Sequence, residues 1–195
     1  KFNMEIFLVI LISYLMGSIP FGYILTKVFL KKDIREIGSG NIGATNVLRA
    51  GNKSIGYLTL TFDILKAAIP VLFIKINYPD LIHISALSVF IGHVFSIWMK
   101  FKGGKGVATY VGILFCISLN LGIVFIISWL IIFFISKYSS LGSILSSLII
   151  PIFIFFNSNY EIEYFFIIMF VFILYTHREN VKRLINKEES KTKIY

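Results

Sequence analysis

Charge is scarce in this sequence. Of 195 residues, 19 are Lys or Arg and 10 are Asp or Glu, so 15% are charged. A water-soluble domain of this length has too much surface for its volume to be covered by so few charged groups. Cysteine is scarcer. Cys116 stands alone inside an apolar run, which excludes an intramolecular disulfide and a cysteine-based metal centre. His83, His93 and His177 are too few and too scattered for a metal site. There is no H-E-x-x-H and no G-x-S-x-G, so neither a zinc-hydrolase helix nor a nucleophile elbow is present. No internal repeat stands out, and no metal or cofactor is implied.

What the sequence has instead is long apolar runs, with 57% of residues hydrophobic. These predict an all-α, polytopic integral membrane helix bundle. The first run, Met4–Leu30, lacks a basic leader and a small-residue cleavage site, so it reads as a retained helix. Further spans are expected at 55–73, 81–99, 141–156 and 164–175. Pro20 and Pro70 mark expected kinks. The run 107–136 is too long for one crossing. As a straight helix its 30 or so residues would measure about 45 Å against a hydrocarbon core of ~30 Å. "SLNLG", Ser118 to Gly122, breaks it near the middle, as two short spans or as one span plus a re-entrant piece.

Charge chooses between these. The net charge of +9 lies in the gaps between apolar runs, where it orients a membrane protein rather than binding nucleic acid. With the amino terminus periplasmic and two crossings in 107–136, fifteen of the nineteen basic residues fall inside. Lys1, Lys75 and the acidic stretch "NYEIE" fall outside. One crossing would put the basic tail outside. About seven transmembrane helices follow, with the carboxyl terminus cytoplasmic. Residues 1–185 form one transmembrane domain, and 186–195 form a polar, linker-like tail.

This topology gathers three polar segments at the inner face. "KFKGGKGVAT", from Lys100, has Gly103, Gly104 and Gly106 around Lys105 and opens a helix at Val107. Glycine-rich backbone, lysine and a helix amino terminus suit a phosphate. The spacing is not that of a P-loop. "GSGNIGATNVLRAGNK", from Gly38, is dense in small hydrogen-bonding side chains: Ser39, Asn41, Thr45 and Asn46. It carries Arg49, whose fork can hold a phosphate bidentately. A helix from about Ala44 would place Asn46 and Arg49 on one face. "THRENVKRL", from Thr176, repeats His177, Asn180, Arg183 and Leu184 at helical spacing. Each segment alone also fits a bland role: a basic turn, a solvated loop, or a helix leaving the headgroups. Within the apolar runs, Asp63 and Lys66 are three apart and read as a structural intramembrane pair. His93 lies two helical turns before Lys100, on one face. Together these residues point to an anionic, phosphorylated substrate reaching the bilayer from inside.

At these motifs the chain resembles the bacterial acyl-phosphate-dependent glycerol-3-phosphate acyltransferases, membrane enzymes that make lysophosphatidic acid. "SGNIGATNVLR" is similar to the family's first motif, "GHVFSIWMKFKGGKGVAT" to its second and "HRENVKRL" to its third, covering nearly the whole chain. Two positions depart from the family's habit. Ala67 stands where Gly often follows "D-x-x-K", and Lys187 stands where Gly often precedes the glutamate that here is Glu189.

The resemblance implies transfer of a fatty acyl group from acyl phosphate to the 1-hydroxyl of glycerol 3-phosphate. That reaction is the first acylation of phospholipid biosynthesis, here at the cytoplasmic (inner) membrane. It needs no cofactor and no metal. Membrane lipid, and a soluble enzyme that makes acyl phosphate, are the implied partners. On this basis Lys100, Gly103, Gly104, Lys105 and Gly106 bind the glycerol phosphate. Ser39, Asn41, Thr45, Asn46 and Arg49 surround the acyl phosphate, and His93, His177 and Asn180 handle hydrogen bonds and protons. An acyl-CoA-dependent enzyme is disfavoured, because no H-x-x-x-x-D pattern follows any histidine. An anion transporter would use similar broken helices and basic seats.

The topology has a direct check. A reporter fused at Ser190 should give a cytoplasmic signal, and a periplasmic signal would break the seven-span arrangement.

Overall fold

Apolar runs without water must satisfy their own backbone, and helices do so within one segment. The structure, a computed structural model describing residues 2–157 and 163–192, is accordingly helical, with no strand among the described residues. It divides into two compact units, residues 1–117 and 118–195. Four helical stretches are long and apolar enough to cross a membrane: Met4–Leu30, Lys53–Asn77, Pro79–Met99 and Leu119–Ser136. Three shorter apolar helices accompany them: Val107–Ile117, Ser139–Phe155 and Tyr164–Thr176. Residues 158–162, which hold most of the acidic stretch expected outside, are not among the described residues.

The first unit contains α1 (Phe2–Ser18), α2 (Phe21–Leu25), α3 (Ala44–Arg49), α4 (Lys53–Asn77), α5 (Ile82–Val94) and α6 (Val107–Ile117). Pro20 interrupts the first run between α1 and α2, as expected. Pro70 does not interrupt α4, which runs on as one helix. Asn52 caps α4 by accepting the Ile55 N–H at 2.9 Å, which satisfies one of the donors a helix start leaves open. Small residues let α1 and α5 approach closely: a side chain at Gly17 would strike the Val89 carbonyl, and one at Gly92 the Tyr14 carbonyl. Such contacts replace the hydrophobic effect, which apolar lipid removes as a driving force between helices. The Ser13 and Ser85 hydroxyls join across the same interface at 2.8 Å.

One expectation needs correction here. His93 and Lys100 do not share a helical face. Helix α5 stops at Val94, a single 3₁₀ turn follows over Ile97–Met99, and Lys100 and Phe101 take the left-handed conformation at φ 51° and 61°. The stop has local partners. The Ser96 hydroxyl donates to the Ser18 carbonyl, and the Tyr14 hydroxyl donates to the Phe95 carbonyl at 2.8 Å. Polar groups at the end of α1 therefore draw the chain out of its helix.

The run 107–136 does break, at Ser118, whose extended backbone (φ −153°, ψ 129°) separates α6 from α7 (Leu119–Ser136). The α6 end is capped in its own unit, where the Lys75 ammonium donates to the Cys116 carbonyl at 2.7 Å and the Ile117 carbonyl at 3.3 Å. Cations are favoured at a helix carboxyl end. Ala67 packs its methyl 3.4 Å from where a Gly112 side chain would begin. A missing side chain on α6 thus accommodates the departure at residue 67.

The second unit holds α7, α8 (Ser139–Phe155), α9 (Glu163–Thr176) and α10 (Arg178–Ile185). Its tail is not a loose linker. Lys187 adopts φ 62°, the left-handed turn that glycine would take most easily, and the chain folds back. Glu189 is 8% exposed. Its carboxylate accepts from the Ser140 hydroxyl at 2.9 Å, the Asn180 amide at 2.7 Å and the Arg183 guanidinium at 2.7 Å. Burial alone would raise its pKa, but these three donors outweigh burial and hold the carboxyl below its ordinary 4.5. A depressed carboxylate contributes stability that is complete above its unfolded pKa and is lost as pH falls through the folded one. Glu189→Gln should therefore lower stability by about 1–3 kcal/mol at neutral pH. It should also flatten the acid side of the profile below about pH 4.5. Thermal unfolding in detergent across pH reads both effects.

Candidate functional site

The site begins with a buried charge pair. Asp63 and Lys66 on α4 are 2% and 3% exposed, and their Oδ1 and Nζ lie 2.8 Å apart. The contact is a buried ion pair. The ammonium has a second partner, the Ile19 carbonyl at the α1 break, 2.7 Å away. This bears out the intramembrane pair read from the sequence. Asp63 also faces His93, whose Nδ1 is 3.9 Å from Oδ1 and has no hydrogen-bond partner among the described residues. His93 is itself 3% exposed. Asp63 lies ten residues into α4, which at 1.5 Å per residue puts this cluster about 15 Å from the helix start. The cluster is buried within the first unit.

The "KGGKG" turn docks on the end of α5. Gly103 N–H donates to the Val94 carbonyl at 2.9 Å, and Gly104 N–H donates to the His93 carbonyl at 3.1 Å. These two N–H groups are thus engaged within the chain, and the glycines act through close approach. A side chain on Gly104 would collide with His93 Nε2 and sit 2.8 Å from Cε1. Gly106, at φ 85°, lies against the Phe90 ring. Lys105 is half-buried and Lys100 exposed. Immediately after Gly106 the first turn of α6 begins, with the orphan N–H groups and positive end of any helix start.

The first-motif loop shares its packing with the residue that leads into this turn. Met99 shares one apolar cluster with Ile34, Ile42, Val47, Ile55 and Leu25. This packing brings the 38–49 segment and the 96–106 segment together in the first unit. Helix α3 starts at Ala44 as the sequence suggests. Asn46 and Arg49 do not share an environment, however: Asn46 is 3% exposed, whereas Arg49, the last residue of α3, is exposed. The Asn46 amide organises the loop. Its Nδ2 donates to the Ile37 and Asn41 carbonyls at 2.8 Å and reaches the Ile34 carbonyl at 3.2 Å, while its Oδ1 accepts the Ser39 N–H at 2.9 Å. An amide so used shapes the seat rather than offering its own donors to a ligand. Gly38 sits against the Asn46 Oδ1 at φ 58°, a left-handed backbone with no room for a side chain. Asn41 Oδ1 accepts the Gly43 N–H at 2.8 Å. Ser39 is exposed at the rim, and Thr45 is half-buried in the first turn of α3.

In the second unit, His177 stands between α9 and α10 as the cap of α10, and Asn180 follows in its first turn. Both are buried, at 2% and 4% exposure. His177 Nδ1 lies 2.8 Å from the Ile173 carbonyl. A carbonyl can only accept, so a neutral imidazole here carries its proton on Nδ1, and Nε2 is the basic nitrogen. Asn180 is aimed by its bond to Glu189. Sequence reading did not place Asp63, Ser96 or Glu189 among the site residues. Asp63 meets His93 from thirty positions away, and no spacing rule signals such a contact.

The comparisons with known proteins agree with one another. The glycerol-3-phosphate acyltransferase family model matches residues 7–187. A glycerol-3-phosphate acyltransferase of Pelagibacter ubique is 69% identical over 98% of this chain and its own full length. One from Bartonella henselae is 45% identical over 97% of this chain and 93% of its own. The crystal structure of PlsY, an integral membrane glycerol 3-phosphate acyltransferase, in its glycerol 3-phosphate form superposes with a TM-score of 0.91. It shares 35% identity, covering 96% of this chain and 95% of that one. Its lysophosphatidic acid form gives a TM-score of 0.88. The chain is therefore an integral membrane protein belonging to the glycerol-3-phosphate acyltransferase family.

Proposed function

We propose that this protein acylates the 1-hydroxyl of glycerol 3-phosphate using a fatty acyl phosphate, giving lysophosphatidic acid and inorganic phosphate. The observation that carries the reading is the "KGGKG" turn, docked on His93 and Val94 at the start of α6, with Met99 just before it packed in the cluster that holds the first-motif loop. Relatives named for this acceptor share the whole length of the chain. The reading places the site at the cytoplasmic face of the inner membrane, in a seven-span chain whose residues 1–185 form one acyltransferase domain. A soluble enzyme that makes acyl phosphate would supply the donor.

The chemistry asks little of a protein nucleophile, because an acyl phosphate is already activated. The glycerol hydroxyl oxygen bonds to the acyl carbon and the bond from that carbon to the phosphate oxygen breaks. The hydroxyl proton ends on the released phosphate, taken directly or through a histidine. What the protein must do is hold two anions together. Unit charges 4 Å apart repel by about 4 kcal/mol at an effective dielectric near 20. Lys105, Lys100 and the first turn of α6 offset this for glycerol phosphate, with Gly103, Gly104 and Gly106 shaping the turn. Arg49 and Thr45 take the acyl phosphate with Ser39 at the rim, on a loop that Asn41 and Asn46 hold. His93 supports the turn, and His177 and Asn180 serve as hydrogen-bonding and proton-handling groups.

The donor decides the reading. Purified protein should release phosphate and form lysophosphatidic acid from acyl phosphate and glycerol 3-phosphate, but not from acyl-CoA or acyl carrier protein. Equal use of acyl-CoA would overturn the donor assignment. Turnover in detergent, without a gradient, separates the enzyme from an anion transporter. Gly104→Ala should push the His93 ring aside and raise the KM for glycerol 3-phosphate about tenfold, with a smaller fall in kcat. Initial rates at varied acceptor concentration measure that split.

A further inference from the structure

The buried Asp63–Lys66 pair has no role in the chemistry above. Stability is a poor explanation for it, since a buried ion pair is often no better than well-packed apolar side chains of similar volume. Its surroundings are more informative. Lys66 is fixed at both ends of its reach, by Asp63 and by the Ile19 carbonyl. Asp63 in turn confronts the unpartnered Nδ1 edge of His93 at 3.9 Å. The opposite edge of that ring, at Nε2, is in contact with Gly104. His93 also holds Gly104 through its own carbonyl. A continuous line of contacts therefore runs from the α1 break, through Lys66, Asp63 and the imidazole, to the "KGGKG" turn.

We propose that Asp63, held by Lys66, is a positioning residue for the acceptor-phosphate seat, acting through the His93 ring on Gly104. The carboxylate attracts the Nδ1 edge and fixes how the ring lies. The ring sets how close Gly104 comes to α5. Lys105 follows at once, and α6 begins two residues later, so a shift of the ring moves the ammonium and the helix start together. Displacements of an ångström at such a seat are enough to cost large factors in substrate use. The inference rests on the reading of this turn as the glycerol-phosphate seat.

The test removes the pair without leaving an orphan charge. The Asp63→Leu, Lys66→Met double variant keeps the branched shape of one side chain, the length of the other and the net charge, so purified, monodisperse protein is expected. Its KM for glycerol 3-phosphate should rise about tenfold or more, with kcat within about threefold and the donor KM unchanged. Adding His93→Gln to the double variant should raise the acceptor KM by no more than about twofold further, because all three changes act on one line. If the double variant does not accumulate, Asp63→Asn assayed in isolated membranes should still raise the acceptor KM at least about threefold. An acceptor KM within about twofold of the parent, or equal rises in both substrates' KM, overturns the inference even where unfolding temperature falls. A parent chain that does not acylate glycerol 3-phosphate overturns the functional reading and this inference together. A parent that turns over, with a variant whose acceptor KM is unmoved, overturns the inference alone.

Discussion

Ending a helix inside an apolar slab frees backbone carbonyls that have no water to turn to. The first unit has three helix ends whose freed carbonyls are answered from within the chain, and its architecture follows from how each is answered. The α1 end is met by the Ser96 hydroxyl and the Lys66 ammonium. The α5 end is met by the Gly103 and Gly104 amides and by the Tyr14 hydroxyl. The α6 end is met by Lys75. Two of the three involve the "KGGKG" turn or the charge pair behind it. At those two ends the groups that keep the backbone satisfied are also groups of the candidate site.

This economy explains why so few charged residues lie within the spans. Lys66 at the centre of a span would cost about 2.5–3.5 kcal/mol on insertion scales. Its ion pair and its carbonyl partner both offset that cost. The second unit solves a different problem with the same tools. There, Glu189 gathers Ser140, Asn180 and Arg183 around one carboxylate, so a polar tail becomes part of the fold.

Much of this was legible in the sequence, and the misses have physical causes. Apolar runs and Lys/Arg placement give the helices and the break near Ser118, because hydropathy and helical length are local properties. The three motifs give the polar segments, and the i, i+3 spacing gives the Asp63–Lys66 pair. The continuation of α5 to Lys100 was misread, because the groups that end it, Tyr14 and Ser18, lie about eighty positions earlier. Asn46 looked like a ligand-binding amide, and only tertiary packing shows that its donors are spent on its own loop. Lys187 stands where the family often has Gly, and its backbone adopts the conformation glycine favours, with Glu189 bonded two residues on.

Helix α6 has only eleven residues and runs alongside the middle of α4, with Gly112 against Ile64 and the Cys116 thiol reaching the Ala68 carbonyl. An ammonium holds one end of it, and the other end follows directly on the "KGGKG" turn. Ions in bulk water screen exposed pairs such as Arg35 and Asp33, but they reach buried charges much less. Rising ionic strength should consequently weaken that surface pair while leaving the sealed Asp63–Lys66 pair almost untouched.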